Sequence, residues 1–195
     1  RLHALGQRIW LDNLSRTLLR EGVLQKLIAD DRIAGVTSNP SIFYKAISES
    51  PYYREELQRL KADTTLIAEQ RYETLAIADI RSTCDLLHPL YKSTAGDDGY
   101  VSLEVSPYLA MDTDATIAEA HRLLRAVDRP NLMIKVPGTK EGIPAMRQLI
   151  SEGINVNVTL LFAIDTYLEV AEAYMAGLEA LESNGGNVTM THSVA

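Results

Sequence analysis

The chain has 195 residues, enough for one good-sized core and marginal for two, and is 46% hydrophobic and 23% charged, ordinary values for a globular protein. Its net charge of −7 and the absence of any Lys/Arg run argue against nucleic acid as a partner, although a small phosphorylated ligand needs only a local cationic pocket. One cysteine, Cys84, allows no intramolecular disulfide and no cysteine-based zinc site, and fits a reducing cytoplasm; no signal peptide or long uncharged apolar run points to export or a membrane.

In chain order, short β-rich runs alternate with longer helical ones. RIWLDNL (8–14) and IAGVTSNP (33–40) read as the first two strands. The segment 41–99 is longer than one crossover needs and is expected to carry two or more helices before the turn at Gly96-Asp97-Asp98-Gly99. YVSLEVSP (100–107) follows as a strand. A helix is expected over 115–127, with Ile117, Ala120, Leu124 and Val127 on one face and an N-cap among Asp112, Thr113 and Asp114. NLMIKVPG (131–138) and INVNVTLLF (154–162) are the next strands. A helix over 165–182 is predicted to be capped by Asp165, to bury Tyr167, Val170, Ala171, Tyr174, Leu178 and Leu181, and to stop at Ser183-Asn184-Gly185-Gly186. NVTMTHSVA (187–195) reads as a sixth strand. Strand alternating with helix predicts βαβ units and a parallel sheet in one domain spanning 1–195. No glycine-rich phosphate loop follows the first strand, which disfavours a nucleotide-binding open sheet.

Buried parallel strands are usually apolar on both faces. Here polar residues recur at spacing two. Ser102, Glu104 and Ser106 alternate with Val101, Leu103 and Val105, and Asn155, Asn157 and Thr159 alternate with Val156, Val158 and Leu160. Thr37 pairs with Asn39, Lys135 lies between Ile134 and Val136, and Asp12 follows Leu11. An apolar face for helices and a polar face for chemistry is the pattern of a (β/α)8 TIM barrel, whose interior and active site take the polar face.

That face gathers Asp12, Thr37, Asn39, Glu104, Lys135, Asn157 and Thr159. Burying a lysine disfavours its charged form and favours a neutral, nucleophilic amine. With carboxylates to move protons and neutral groups to orient hydroxyls, these residue types suit imine chemistry on a sugar ketone. Position alone leaves a second reading of Lys135 equally open, a strand lysine reaching for the surface. Likewise Glu104 could face solvent, Asp12 could cap the helix starting near Ser15, and Asn39-Pro40 could be only a turn.

GVTSNPSIF (35–43) and LMIKVPGTKEGIPAMRQL (132–149) resemble the two signature segments of the transaldolase family, and WLDNLSR (10–16), SLEVSP (102–107) and INVNVTLLF follow it in content and order. The resemblance implies a (β/α)8 barrel and a metal-free, cofactor-free class I transferase. Such an enzyme moves a dihydroxyacetone unit between phosphorylated sugars in the pentose phosphate pathway. It makes Lys135 the Schiff-base lysine, Asp12 the carboxylate that handles the sugar hydroxyl proton, and Glu104 the acid/base acting through a bound water. Asn39, Asn157 and Thr159 hold the intermediate and that water, with Thr37 a weaker match. Glutamate rather than glutamine at 104, with the long 41–99 segment, favours transaldolases over fructose 6-phosphate aldolases. The alternatives kept open are such an aldolase and a catalytically silent barrel piece.

Six strands where a barrel needs eight, a start at Arg1 and a stop at Ala195 together predict the N-terminal portion of a longer protein. In the family a serine and an arginine that binds the substrate phosphate would follow, and a fused phosphoglucose isomerase domain is a further possibility. The sequence does not set the oligomeric state. His192 is expected to be a hydrogen-bonded residue of the last strand, Asn155 structural, Cys84 packing, Lys140 and Glu141 a solvated turn, and His3, His88 and His121 surface residues. No metal-ligand spacing occurs, so no metal is expected.

Overall fold

The computed structural model describes residues 5–195, so the assignment of His3 lies outside the described residues. The backbone forms two compact units. The first ends at Val101 and takes in Val127–Asn131; the second comprises Ser102–Ala126 and Leu132–Ala195.

In the first unit, strands β1 (Trp10–Asp12), β2 (Gly35–Thr37) and the start of β3 (Tyr100–Glu104) pair in parallel and in chain order. Gly35 makes the first pairing possible, because a Cβ there would lie 2.5 Å from the Trp10 ring. Helices α1 (Arg16–Arg20) and α2 (Val23–Asp31) join β1 to β2. The long segment before β3 carries α3 (Pro40–Glu49), a 3-10 turn (Pro51–Tyr53), α4 (Arg54–Ala62) and the 26-residue α5 (Ala68–Ser93). Tyr53, Leu60 and Leu75 form their own apolar cluster there, packed with Ala46, Ile47, Leu57 and Leu66. Buried Asn131 donates from Nδ2 to the carbonyls of Cys84 (3.0 Å) and Gly99 (2.7 Å), satisfying two buried acceptors and tying α5 to the entry of β3.

In the second unit the end of β3 is followed by β4 (Leu132–Pro137), β5 (Val156–Thr159) and β6 (Ser193–Val194), again parallel and in chain order. The connections are α6 (Thr113–Val127), α7 (Gly142–Ser151) and α8 (Ile164–Ser183). Every residue of β4 is buried, and Ile134, Val136, Val156, Leu149 and Ile150 are fully enclosed. Each such side chain contributes about 1.5–3 kcal/mol on leaving water. Helices α7 and α8 approach closely because residue 177 is glycine: a Cβ there would lie 2.8 Å from Ile150. Parallel strands in chain order with helical connections make the fold α/β and correspond to six successive units of a (β/α)8 barrel.

Five expectations change. The run 187–195 yields only a two-residue strand, because Asn187 accepts from the Thr189 backbone N–H at 3.0 Å and winds Val188–Met190 into a 3-10 turn. His192 therefore precedes β6 rather than lying on it. In α6 the buried face is Thr116, Ala120, Leu123 and Val127, so Ile117 and Leu124 lie at its margin. In α8 it is Val170, Ala173, Gly177 and Leu181, while Tyr167 is 53% exposed. The small residues face α7 because close helix packing selects for small side chains, a preference that hydrophobicity alone does not register. Asp165 lies in the first turn of α8 but is not its cap; Ala163 holds that position without a side-chain bond. Asp112 does cap α6, accepting from Ala115 N–H at 2.9 Å, and Asn184 with left-handed Gly185 ends α8.

Candidate active site

Residue alternation along each strand decides which side chains share a face. In the second unit Lys135 is the register partner of Asn157, and Pro137 that of Thr159, so Lys135 and Asn157 emerge side by side. Lys135 is only 9% exposed, which is unusual for a lysine. Its Nζ lies 3.7 Å from Glu104 Oε2, at the C-terminal end of β3. Burial pushes the Glu104 carboxyl above its ordinary range, and the Lys135 ammonium only partly offsets that push. A carboxyl so placed can hold and release a proton beside an amine. Asn157 Nδ2 donates to buried Ser102 Oγ at 2.8 Å, which fixes the amide through its nitrogen. Thr159 Oγ1 is buried without a hydrogen-bond partner among the described residues, a hydroxyl available to a bound molecule or water.

The loops keep this strand bundle in place. Val105 N–H donates to the Lys135 carbonyl at 3.1 Å, and Gly138 N–H to the Thr159 carbonyl at 2.7 Å. Gly142 opens α7 directly against β4, where a Cβ would meet the Pro137 carbonyl oxygen at 1.9 Å. Thr139 Oγ1 donates to the Ala110 carbonyl and accepts from Gly142 N–H, at 2.6 and 2.9 Å. Thus much of the PGTKEG run after the lysine is packing chemistry. Asn155 is structural, its Oδ1 accepting from His192 N–H at 2.8 Å. Glu141 is half-buried rather than fully solvated, whereas Lys140 is exposed.

In the first unit Asp12 and Thr37 are register partners on β1 and β2. Thr37 Oγ1 is buried and, like that of Thr159, without a hydrogen-bond partner among the described residues. Asp12 is exposed and lines a cleft of about 520 Å³ with Asn13, Ser15, Thr17, Lys45 and Ser50. It does not cap α1; Ser15 does, accepting from Leu18 N–H at 3.2 Å. Asn39 has a local duty as N-cap of α3, accepting from Ile42 N–H at 2.9 Å, with Pro40 at the first helical position. Its amide oxygen is engaged there, leaving its NH₂ group to donate.

The family model described as "Transaldolase/Fructose-6-phosphate aldolase" matches residues 9–194.

The chain belongs to that family.

Relatives named transaldolase are similar along the whole chain. That of Thiobacillus denitrificans is 54% identical over 191 residues, covering 98% of this chain and 53% of the relative. That of Trichodesmium erythraeum is 49% identical over 192 residues, covering 98% and 50%. Transaldolase 1 of Streptomyces avermitilis is 48% identical over 195 residues, covering 100% and 51%. The chain spans about half the length of the relatives it matches. Among the described residues no helix is long and apolar enough to cross a membrane, and no group of three or more His, Cys, Asp or Glu could hold a metal ion.

Two features of the site were missed in the sequence. One is Ser102, which orients Asn157 from 55 residues away; its place two residues before Glu104 was the available signal. The other is a buried network around Arg16, Tyr53, Glu56 and Asp79, for which the sequence carries no local signal.

Proposed function

We propose that this chain is part of a transaldolase, the N-terminal portion of a (β/α)8 barrel acting in the cytoplasm. It would pass a dihydroxyacetone unit from a ketose phosphate, sedoheptulose 7-phosphate or fructose 6-phosphate, to an aldose phosphate acceptor. The observation that carries the reading is Lys135: an amine 9% exposed, 3.7 Å from a carboxyl whose proton affinity burial has raised.

In this reading the neutral Lys135 amine attacks the ketose carbonyl to give a carbinolamine. Glu104, through water, supplies the proton with which the hydroxyl departs as water, leaving a protonated imine. Asp12 takes the proton from the hydroxyl on the fourth carbon. The bond between the third and fourth carbons breaks, its electron pair moves into the imine as an enamine, and the aldose phosphate leaves. The acceptor aldehyde then reverses these steps. Asn39, Asn157, Thr159 and Thr37 orient hydroxyls and water, a role supported by the two buried threonine hydroxyls without a partner among the described residues and by the fixed Asn157 amide. No part of this sequence needs a metal or an organic cofactor.

The full-length protein is incubated with fructose 6-phosphate and borohydride, and its peptides are read by mass spectrometry. A reduced adduct on Lys135 is expected, and none in Lys135→Ala; an adduct on another lysine sinks the assignment. The family's name also covers an aldolase, so products are compared with and without erythrose 4-phosphate. Free dihydroxyacetone in both conditions would make this chain part of an aldolase instead.

A further inference from the structure

We propose that Tyr53 and Asp79 are positioning residues for Asp12, acting through Arg16; the inference rests on the proton role just given to Asp12. All lie in the first unit. Asp12 ends a three-residue strand and is exposed. On one side pairing with β2 holds it; on the other, residues 13–15 have no regular structure, so the path of the chain away from Asp12 is set by what seizes it next.

What seizes it is first Leu14, whose side chain is fully enclosed, and then Arg16, the first residue of α1, which is 8% exposed. Its backbone N–H has no acceptor within its own helix, and the Tyr53 hydroxyl accepts it at 3.1 Å. The same hydroxyl donates to Asp79 Oδ2 at 2.6 Å. Asp79 Oδ1 accepts from Arg16 Nε at 2.8 Å. Arg16 Nη1 reaches Glu56 Oε2 at 2.7 Å, and the guanidinium lies 4.6 Å from the centre of the Tyr53 ring. One residue on, Thr17 and Ser50 share a hydroxyl–hydroxyl bond of 2.8 Å. Buried ion pairs add little stability over well-packed apolar side chains, because desolvation offsets their attraction. What a closed network of this kind does supply is one fixed geometry. Here that geometry belongs to the backbone four residues after Asp12.

The test is rapid-quench borohydride trapping of full-length protein in its first turnover with fructose 6-phosphate. Adduct masses on Lys135 report the uncleaved six-carbon imine and the cleaved three-carbon species, reduced as the imine in equilibrium with the enamine, separately. Tyr53→Phe keeps the ring under the guanidinium and removes only the hydroxyl. Total adduct should stay within about twofold of the unmodified protein, while the cleaved fraction falls about tenfold or more, since small misplacements of a reacting group are costly. Tyr174→Phe, which also deletes a tyrosine hydrogen bond (to the Thr191 carbonyl at 3.0 Å), should leave both values unchanged. Should Tyr53→Phe not fold, Asp79→Asn serves: it keeps an acceptor for the Tyr53 hydroxyl and should cleave faster than Asp79→Ala. Equal loss of both species in Tyr53→Phe, an unchanged cleaved fraction, or the same shift in Tyr174→Phe overturns the positioning role. Absence of any Lys135 adduct in the unmodified protein overturns the site reading itself, and this inference with it.

Discussion

Gly142→Ala should damage the lysine strand while adding a single methyl group. The glycine opens α7, and the added Cβ would lie 1.9 Å from the Pro137 carbonyl oxygen, 3.0 Å from Thr139 Oγ1 and 3.1 Å from the Pro137 carbonyl carbon. A comfortable carbon–oxygen contact is about 3.3 Å, so the shortfall to the carbonyl oxygen is roughly 1.4 Å. That oxygen is backbone, at the end of a fully buried strand, and no flexible side chain can yield in its place. Helix α7 must lift from β4 by more than an ångström. The residue has no positive φ, so alanine suffers no backbone strain and recovers at most about 1 kcal/mol of helix propensity. Overpacking of this severity costs about 3 kcal/mol or more, which leaves a net destabilisation of about 2–3 kcal/mol. Urea unfolding of the full-length protein followed by circular dichroism should show it as a midpoint lowered by about 1 M. Because Pro137 ends the strand that carries Lys135, borohydride trapping at Lys135 should fall as well. An unchanged or raised midpoint would refute the close approach of α7 to β4.

The same reasoning makes Gly177→Ala destabilising by about 1–2 kcal/mol, since the methyl would press on Ile150 at 2.8 Å and outweigh the gain in propensity; a stabilised variant in thermal unfolding contradicts it. Glu104→Gln should slow imine formation about 10²–10⁴-fold, the usual worth of a positioned acid/base, and stopped-flow or trapping rates equal to those of the unmodified protein would remove Glu104 from the mechanism. Its stability effect has a defined sign. A carboxyl raised by burial contributes stability in full below the ordinary glutamate value of about 4.3, and loses it as pH climbs through its higher folded value. Glutamine does not titrate, so the stability of Glu104→Gln relative to the unmodified protein should rise from acid to neutral pH; a flat or falling difference in paired urea curves rejects the burial argument. Arg16→Met should cost about 3–5 kcal/mol, because it strands the 2%-exposed Asp79 without its cation; a loss under 1 kcal/mol by chemical denaturation would mean Asp79 finds another partner.

Much of the site was legible because strand chemistry is local. Alternation placed Ser102 with Glu104 and Asn155 with Asn157 and Thr159, whereas the apolar run around Lys135 left its burial open and the structure decides it. Asn39 shows the limit: the Asn-Pro pair signalled a turn and a site residue alike, and the observed helix cap occupies only its amide oxygen. The helix faces were misjudged by about one residue because a large apolar side chain and a small packing residue compete for the same stripe. In α8 the contact with α7 selected Gly177 and Ala173 over Tyr167.

The sequence by itself determined the α/β alternation and the parallel strands, and it marked one amine and two carboxylates, Lys135, Glu104 and Asp12, as candidates. Those depend on side-chain period and residue type, which any short window of the chain displays. Only the tertiary structure decided that Glu104 Oε2 stands 3.7 Å from Lys135 Nζ, that Ser102 locks the Asn157 amide, and that Tyr53 and Asp79 hold Arg16. Each of these pairs residues tens of positions apart. Such a meeting is fixed by burial, register and backbone closeness, and leaves no periodic trace in the chain that could be read beforehand.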